Sequence, residues 1–271
     1  MMKPTLTIVG AGKVGRVLGR QFVQHDVFEL RQILNRSLSS AQSARDFIGA
    51  GVAIDNWADL KAADMMMLTV PDDQIKSCAA QLVRLDLIGP TTIVFHCSGA
   101  LGASELGLLR GAASLHPVRS FADPENVAQH FSKTICSLEG DADATAVLTK
   151  ALEQIDAQVV PLESAGKTLY HAAAVFASNY LVTLMDTALT TYQAAGIPLE
   201  MAQRLAAPLA QETLSNVFRI GAQQALTGPI ARGDLATVAR HQSALDQVDR
   251  DTARLYQELA QATLRMKQRR Q

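Results

Sequence analysis

The stretch Thr5 to Gly19, TLTIVGAGKVGRVLG, decides the fold of this chain. It opens with an apolar, β-branched run, Thr5 to Val9, which stops at Gly10. Apolar residues then return at helical spacing, at Val14, Val17, Leu18 and Phe22. A strand, a glycine turn and a helix therefore follow one another without a gap. This is the context in which G-x-G-x-x-G predicts a dinucleotide-binding turn.

Each glycine of the motif has its own expected task. Gly10 allows the tight turn, Gly12 lets a pyrophosphate approach the backbone, and Gly15 lets helix and strand pack closely. The free N–H groups at the start of the helix would hold the phosphates, so Lys13 and Val14 join the glycines as predicted cofactor-binding residues. The alternative is a turn that is rich in glycine for local reasons alone.

The end of the second predicted strand indicates which dinucleotide is bound. NAD-binding folds usually place an acidic residue there, about 20 residues past the glycines, to bind the adenine ribose. This chain has Asn35, Arg36 and Ser37 instead. A guanidinium beside a hydroxyl can bind a 2′-phosphate through charge-assisted hydrogen bonds. We therefore expect NADP (NADPH) at these three residues, against the alternative of an exposed surface arginine.

Composition narrows the class of protein. The chain has 271 residues, 48% of them hydrophobic and 19% charged, and a net charge of −1. These totals suit two domains, and they provide no basic field for nucleic acid or anionic lipid. We expect neither a signal peptide nor a membrane span. Three widely spaced cysteines without a C-x-x-C pair predict a cytoplasmic protein with reduced thiols and no metal site.

Further strands alternate with helices up to about residue 162. The pattern predicts an α/β domain of Rossmann type, with a mostly parallel sheet and helices on both faces. Two successive predicted strands end at turn-forming or small residues, the first at Val70 and Pro71, the second at Ser98. Ligands bind at the carboxyl edge of such sheets. These three residues are therefore candidates for lining the nicotinamide half of the cofactor.

A histidine follows the next strand, in the sequence His116-Pro117. Proline biases the preceding residue toward an extended conformation, so the imidazole would project from the strand end. Histidine exchanges a proton near neutral pH, as hydride transfer to or from a C–O or C–N bond requires. His116 is thus a candidate catalytic residue, and a loop-capping histidine is the alternative.

Beyond Glu163 the strand signals stop, so residues 1–162 and 163–271 form two predicted domains, the second all-helical. The segment from Lys167 to Gln193 lacks a polar face over much of its length. A helix that is apolar all round is buried, and we expect this burial in a core shared with another subunit. The protein is then a homodimer through its C-terminal helices.

Two polar residues of that apolar segment are candidates for the site. His171 and Asn179 lie eight residues apart, close to one face of a continuous helix and about 12 Å apart along its axis. They would bracket a bound substrate without bonding each other. The alternative is that both bond to neighbouring backbone, as buried polar groups do.

With these motifs in hand, the chain resembles the Rossmann-like oxidoreductases of the 6-phosphogluconate dehydrogenase-like superfamily over its whole length. It is most similar to the branch with a C-terminal domain of unknown function. The resemblance rests on seven stretches: Gly10 to Gly15, Asn35 to Ser37, Val70 to Asp72, His96 to Ala100, Leu115 to Phe121, His171 to Asn179 and Thr227 to Asp234. It implies an N-terminal NADP-binding domain, a helical dimerisation domain and a substrate cleft between them.

Relatives qualify the candidate mechanism. Similar 3-hydroxyacid dehydrogenases carry Lys-x-x-x-Asn, where Asn179 fits the Asn but Val175 takes the place of the Lys proton donor. Prephenate dehydrogenases resemble the chain in the motif His116-Pro117, and pyrroline-carboxylate reductases also lack the Lys and reduce an imine. We expect an NADP(H)-dependent oxidoreductase acting on a small anionic metabolite, a hydroxy or oxo acid or an imine. His116 or His171 would exchange the proton while Asn179 orients the substrate. The alternative function is a non-catalytic dinucleotide-binding regulator or sensor.

Overall fold

The first part of the chain forms one eight-stranded sheet. The computed structural model describes residues 3–107 and 109–268. Its strands are β1 Thr5–Val9, β2 Glu29–Leu34, β3 Val52–Ile54, β4 Met65–Leu68, β5 Ile93–His96, β6 Ala112–Pro117, β7 Ile135–Gly140 and β8 Gln158–Pro161. They lie in the order β3-β2-β1-β4-β5-β6-β7-β8.

Parallel pairing joins every neighbouring pair of strands except β6 and β7, which run antiparallel. The strand order reverses between β1 and β4, and in open sheets of this kind ligands bind at such a switch point. The carboxyl ends of β1, β4, β5 and β6 therefore meet at one edge of the sheet. The predicted fold class, an α/β domain of Rossmann type followed by helices, is confirmed.

Helices cover the sheet and then make up the rest of the chain. The helices are α1 Lys13–Gln24, α2 Leu38–Ile48, α3 Asp72–Arg84, α4 Pro124–Gln129, α5 Ala142–Gln154, α6 Lys167–Ala177, α7 Asn179–Ala194, α8 Leu199–Ile220, α9 Ala222–Ala225, α10 Pro229–Arg232, α11 Leu235–Val248 and α12 Arg250–Gln268.

The core lies on both faces of the sheet, which explains the uninterrupted apolar run of the central strands. Every residue of β1 and β4 is buried. On one face Ile8, Phe22 and Phe95 belong to a single buried cluster, and on the other Met66 and Leu82 belong to a second. A parallel strand with both faces covered has no polar side to show in its sequence.

The chain divides into two compact units at residue 178. The first unit contains the whole sheet and continues past the last strand through α6 to Ser178. The second unit, from Asn179, contains α7 to α12, with α7 packed on α8 and α11 packed on α12. The predicted boundary after residue 162 coincides with the end of the sheet, whereas this division of contacts falls one helix later.

The expectation of one continuous helix from Lys167 to Gln193 is wrong, whereas the burial of this segment against another subunit stays a prediction. The backbone breaks at Ser178, where φ is −127° and ψ is −69°, and α7 starts at the next residue. Many side chains there are exposed, among them Leu169 at 78% and Val182 at 69%. The segment Ser164–Ala194, with a hydropathy of 1.3, is long and apolar enough to cross a membrane by length and composition. Such a segment was not expected from the sequence, and none of its most apolar window is buried in the single chain.

Candidate functional site

The predicted dinucleotide turn is built as its glycines require. Gly10 has a φ of +83°, and a Cβ placed there would lie 2.5 Å from Cγ1 of Val70. A Cβ on Gly15 would come closer than 3.0 Å to Oγ1 of Thr69. That hydroxyl donates to the Gly10 carbonyl at 2.8 Å. Both glycines are therefore needed for the close packing of β1, β4 and α1.

Gly12 differs because it faces open space. A Cβ there would find its nearest neighbour, the carbonyl oxygen of Gly10, at 3.9 Å. The helix α1 begins at the next residue, and among the described residues no side chain caps it and no acid lies in its first turn. Uncapped N–H groups and the positive end of the helix dipole attract an anion. The turn is thus shaped for a phosphate group to approach its backbone.

Asn35 fastens this turn to the second strand. Its side-chain oxygen accepts a hydrogen bond from the Ala11 amide at 2.7 Å, and its side-chain nitrogen donates to Oγ of Ser40 at 2.9 Å. Both ends of the amide are engaged within the protein. Asn35, expected among the cofactor-binding residues, has a bracing role in this structure.

Arg36 and Ser37 lie at the start of α2. Ser37 is the N-cap, whose hydroxyl oxygen accepts from the Ser40 amide at 3.3 Å. Arg36 is exposed, and its guanidinium makes no hydrogen bond or ion pair with another described residue. A carboxylate lies at the same helix start, since Oδ2 of Asp55 accepts from the Leu38 amide at 3.1 Å. Arg36 favours a phosphate there, and Asp55 opposes it.

The other predicted cofactor residues surround the turn in different ways. Lys13 is exposed, and its ammonium donates to the Ala122 carbonyl at 3.1 Å. Val14 is half-buried against the core. Val70 is half-buried beside Gly10, and Pro71 is exposed at the start of α3. The structure therefore brings Val14 and Val70 to the turn as apolar walls.

Ser98 shapes the loop after β5. Its hydroxyl donates to Oδ2 of Asp72 at 2.8 Å and accepts from the amides of Ala100 and Leu101 at 3.1 and 3.0 Å. The side chain is buried. Its hydroxyl thus holds the loop that carries Gly99, which is a different use from the predicted lining of the nicotinamide.

The two candidate catalytic histidines lie together at the carboxyl edge of the sheet. The rings of His116 and His171 are 6.2 Å apart between centroids, at an interplanar angle of 75°. Both face Gly99: a Cβ on this glycine would lie 2.8 Å from Nε2 of His116 and 2.6 Å from Nδ1 of His171. Only a residue without a side chain fits between the imidazoles. The sequence singled out both histidines, and the fold brings them to one point.

Burial sets the protonation of His116. It lowers the pKa of His116 from 6.5 to about 4, and the positive charge of Lys167 acts in the same direction. His116 is therefore a neutral imidazole at neutral pH. Nδ1 of His171 is buried and has no hydrogen-bond partner among the described residues. A buried polar atom without a partner is costly in an isolated protein and indicates that a ligand or water completes the site.

A third member of the cluster, Tyr170, was not predicted. Its hydroxyl lies 2.7 Å from Nδ1 of His116, and the rings meet edge to face with centroids 5.7 Å apart. Burial raises the pKa of the Tyr170 phenol. The side chain therefore stays protonated at neutral pH, with a hydroxyl available to His116.

The second unpredicted residue, Lys167, is a buried lysine with 2% of its surface exposed. Its ammonium donates to Oγ of Ser114 at 2.5 Å. Burial lowers its pKa, while the negative charge of Glu139 opposes that shift. Glu139 is itself buried, accepting from the Ala103 amide at 2.6 Å and from Oγ of Ser164 at 2.7 Å. This network ties the start of α6 to the sheet and places a positive charge near the imidazoles.

A sequence signal for both residues existed. Lys167, Tyr170 and His171 follow the spacing i, i+3, i+4, which puts them on one face of a helix. Apart from Thr168, the other residues of α6 are apolar.

Asn179 departs from its predicted placement. The break at Ser178 separates it from the helix of His171, and it begins the second compact unit. The expected spacing of the two along one straight helix is therefore wrong. Thr183 Oγ1 donates to the Asn179 carbonyl at 3.4 Å, as in an ordinary helix.

In the part of the chain that the structure describes, no three His, Cys, Asp or Glu side chains lie close enough together to hold a metal ion. All three cysteines are free. Burial raises the pKa of Cys136 to about 12 and that of Cys97 further still. These thiols are inert at neutral pH.

Comparisons with known proteins agree with this architecture. A family model for a Rossmann-like domain matches residues 2–117, and one for a domain of unknown function (DUF2520) matches residues 134–263. A search of the curated proteins found no match.

Several solved structures are similar along nearly the whole chain. Protein TM1727 from Thermotoga maritima is 26% identical with a TM-score of 0.72, covering 97% of each chain. BF3122 from Bacteroides fragilis, a candidate NADP oxidoreductase, is 19% identical with a TM-score of 0.79, covering 97% of this chain and 98% of its own. The 1-pyrroline-5-carboxylate reductase of Streptococcus pyogenes is 13% identical with a TM-score of 0.64, again covering 97% and 98%. At these lower identities the likeness shows the fold.

Proposed function

We propose that this chain, which matches the models of a Rossmann-like domain and of the domain of unknown function DUF2520, is an NADP(H)-dependent oxidoreductase. Its substrate would be a small anionic metabolite, a hydroxy or oxo acid or an imine. One observation carries the proposal: the glycine turn and the two imidazoles lie at the same edge of the sheet. β4 and β5 separate β1 from β6, so at the usual strand spacing the two features are about 14 Å apart.

The residues fit a bound dinucleotide in two places. The open backbone at Gly12 and the uncapped start of α1 would hold the pyrophosphate, and Arg36 with Ser37 would hold the 2′-phosphate. The names of two structural neighbours, an NADP oxidoreductase and a pyrroline-carboxylate reductase, point the same way. The cofactor would supply a hydride when bound.

The protein's own part in the reaction falls to the imidazoles. His116 is neutral, and its Nε2 lies beside Gly99 together with Nδ1 of His171. A substrate oxygen or nitrogen at this point would meet one or both nitrogens, which would orient it and exchange its proton. The low polarity of the partly buried surroundings strengthens these contacts. Asn179 stays a candidate for orienting the substrate.

A cofactor titration tests the first half of this proposal. NADPH and NADH are titrated by fluorescence against the wild type and Arg36→Ala. Losing a hydrogen bond to a charged group removes about 1.5–3 kcal/mol, so NADPH binding should weaken at least tenfold while NADH binding stays unchanged. Asp55→Asn is the matched variant, and removing its charge should strengthen NADPH binding. Equal affinity of the wild type for both cofactors would rule out the NADP preference.

A turnover assay tests the second half. NADPH consumption is followed against 2-oxo acids and cyclic imines, and NADP⁺ reduction against 3-hydroxy acids. His116→Gln should abolish turnover and leave cofactor binding intact. Binding without turnover on any of these classes would favour the regulator or sensor instead.

We also propose that the protein is a homodimer through its helical unit and works in the cytoplasm. Large apolar side chains are exposed on the helices of this unit, including Val182 and, at 86%, Phe218. Exposed apolar patches of this kind mark protein interfaces. Light scattering of wild type and Phe218→Glu tests the dimer: a monomeric wild type would contradict it. The three free cysteines suit a reducing compartment.

A further inference from the structure

Tyr170 contacts the imidazole of His116 at one of its two nitrogens, Nδ1. The Tyr170 hydroxyl lies 2.7 Å from Nδ1, and the edge-to-face packing of the rings holds both side chains in place. Tyr170 sits on the same face of α6 as Lys167, which is anchored to β6 through Ser114. The tyrosine is therefore held against the strand that carries His116.

Both groups are neutral at physiological pH, because burial lowers the pKa of His116 and raises that of Tyr170. A neutral imidazole has one N–H and one bare nitrogen, and the partner of each nitrogen decides which is which. A phenol O–H is more acidic than the N–H of a neutral imidazole and is the stronger donor. Tyr170 thus donates to Nδ1, and Nε2 carries the hydrogen.

The Nε2 hydrogen then points to the space beside Gly99, where no side chain is present. Nε2 faces Gly99, and the partnerless Nδ1 of His171 faces the same point. Hydrogen bonds in a chain polarise one another, so donation by Tyr170 to Nδ1 strengthens donation from Nε2.

We propose that Tyr170 is a positioning residue that fixes His116 as the Nε2–H tautomer, so that His116 donates a hydrogen bond to the substrate. The acceptor is the carbonyl oxygen or imine nitrogen beside the carbon that receives hydride. The role of this hydrogen bond rests on the proposed function, whereas the tautomer itself is a property of the protein alone.

The tautomer is measured by long-range ¹H–¹⁵N correlation of the imidazoles in the ¹⁵N-labelled full chain at neutral pH. The spectrum of His116→Gln assigns the His116 signals among the six histidines. We expect the wild type to show His116 with hydrogen on Nε2 and a hydrogen-bonded Nδ1. Tyr170→Phe should convert this to a mixture of both tautomers. Hydrogen on Nδ1 in the wild type, or an unchanged His116 spectrum in Tyr170→Phe, would overturn the proposal.

The helical unit offers a matched control. Nδ1 of His241 lies 2.9 Å from the Tyr256 hydroxyl, and these rings also meet edge to face. Tyr256→Phe removes the same kind of hydroxyl from a pair within the second compact unit. It should change the signals of His241 and leave those of His116 and the turnover rate as in the wild type.

Kinetics separates positioning from a merely structural effect. In Tyr170→Phe we expect kcat to fall roughly tenfold, a part of the 10²–10⁴ that proton-transfer groups contribute, with KM and NADPH affinity unchanged. An unchanged kcat, or a loss confined to KM, would refute the positioning role. If the wild type turns over none of the substrates, the proposed function fails, while the spectra still decide the tautomer.

Discussion

Gly12 and Gly15 belong to the same turn, yet methyl groups added to them should have opposite effects. At Gly12 the backbone angles, φ −74° and ψ −150°, are open to an L-residue, and the nearest atom to an added Cβ is 3.9 Å away. Alanine is a poorer N-cap than glycine but reduces the freedom of the unfolded chain, so the two effects nearly cancel, to within about 0.5 kcal/mol. Gly12→Ala should fold as the wild type does.

Gly15→Ala should instead destabilise the protein. Its methyl would approach Oγ1 of Thr69 closer than 3.0 Å. Either α1 moves away from the sheet, or Thr69 turns and loses its hydrogen bond to Gly10. Overpacking and a lost hydrogen bond together amount to about 2–4 kcal/mol.

The affinities should follow the reverse pattern. In Gly12→Ala the methyl occupies the space through which a pyrophosphate reaches the backbone. Losing one hydrogen bond to a charged group weakens binding by about 1.5–3 kcal/mol, roughly 10- to 100-fold. Urea unfolding and NADPH titration of both variants measure the two effects. A Gly12→Ala protein that binds NADPH as tightly as the wild type would refute the assignment of this turn to the cofactor.

Three further outcomes follow from the imidazole cluster. The pKa of His116 is lowered from 6.5 to about 4 in the folded protein. As the pH falls below 6.5, the unfolded chain therefore takes up a proton at His116 before the folded protein does. Wild type should therefore lose about 2.5 kcal/mol relative to His116→Gln between pH 7.5 and 4.5, measured by urea unfolding; parallel curves would contradict the burial. Lys167→Met should raise the pKa of His116 in an NMR titration, because a positive charge disappears, and an unmoved pKa would place that charge too far away. Gly99→Ala should lose turnover with NADPH affinity unchanged, and an active variant would show that the imidazoles do not meet the substrate there.

Local patterns predicted the parts of the molecule that local chemistry determines. The glycine turn was predicted because the close packing of a strand against the following helix requires residues without a side chain, here Gly10 and Gly15. The predicted strand that ends at Val70 corresponds to β4, which is apolar throughout because a parallel strand covered on both faces has no polar side. His116 was found because Pro117 marks a strand end.

Distant contacts account for what the sequence did not reveal. Lys167 bonds to Ser114, 53 residues earlier, and Tyr170 bonds to His116, 54 residues earlier. The sequence around Lys167 and Tyr170 contains no pattern that predicts these partners. Asn35 was assigned to the cofactor because its position suits a ribose. Its side-chain oxygen instead accepts a hydrogen bond from the backbone amide of Ala11, 24 residues earlier.

The break at Ser178 was missed for a different reason. Serine is a weak helix breaker, and the apolar residues on both sides continue the helical spacing. The predicted alignment of His171 with Asn179 depended on a continuous helix. Apolar side chains on both helices are exposed in the single chain. We expect another subunit to bury them.

A crystal structure of the protein with NADPH tests the central claim most directly. We expect the pyrophosphate at the Gly12 amide and the first turn of α1, the 2′-phosphate at Arg36, and the nicotinamide beside Gly99 between His116 and His171. A dinucleotide bound away from the glycine turn, or a nicotinamide remote from both imidazoles, would contradict the account.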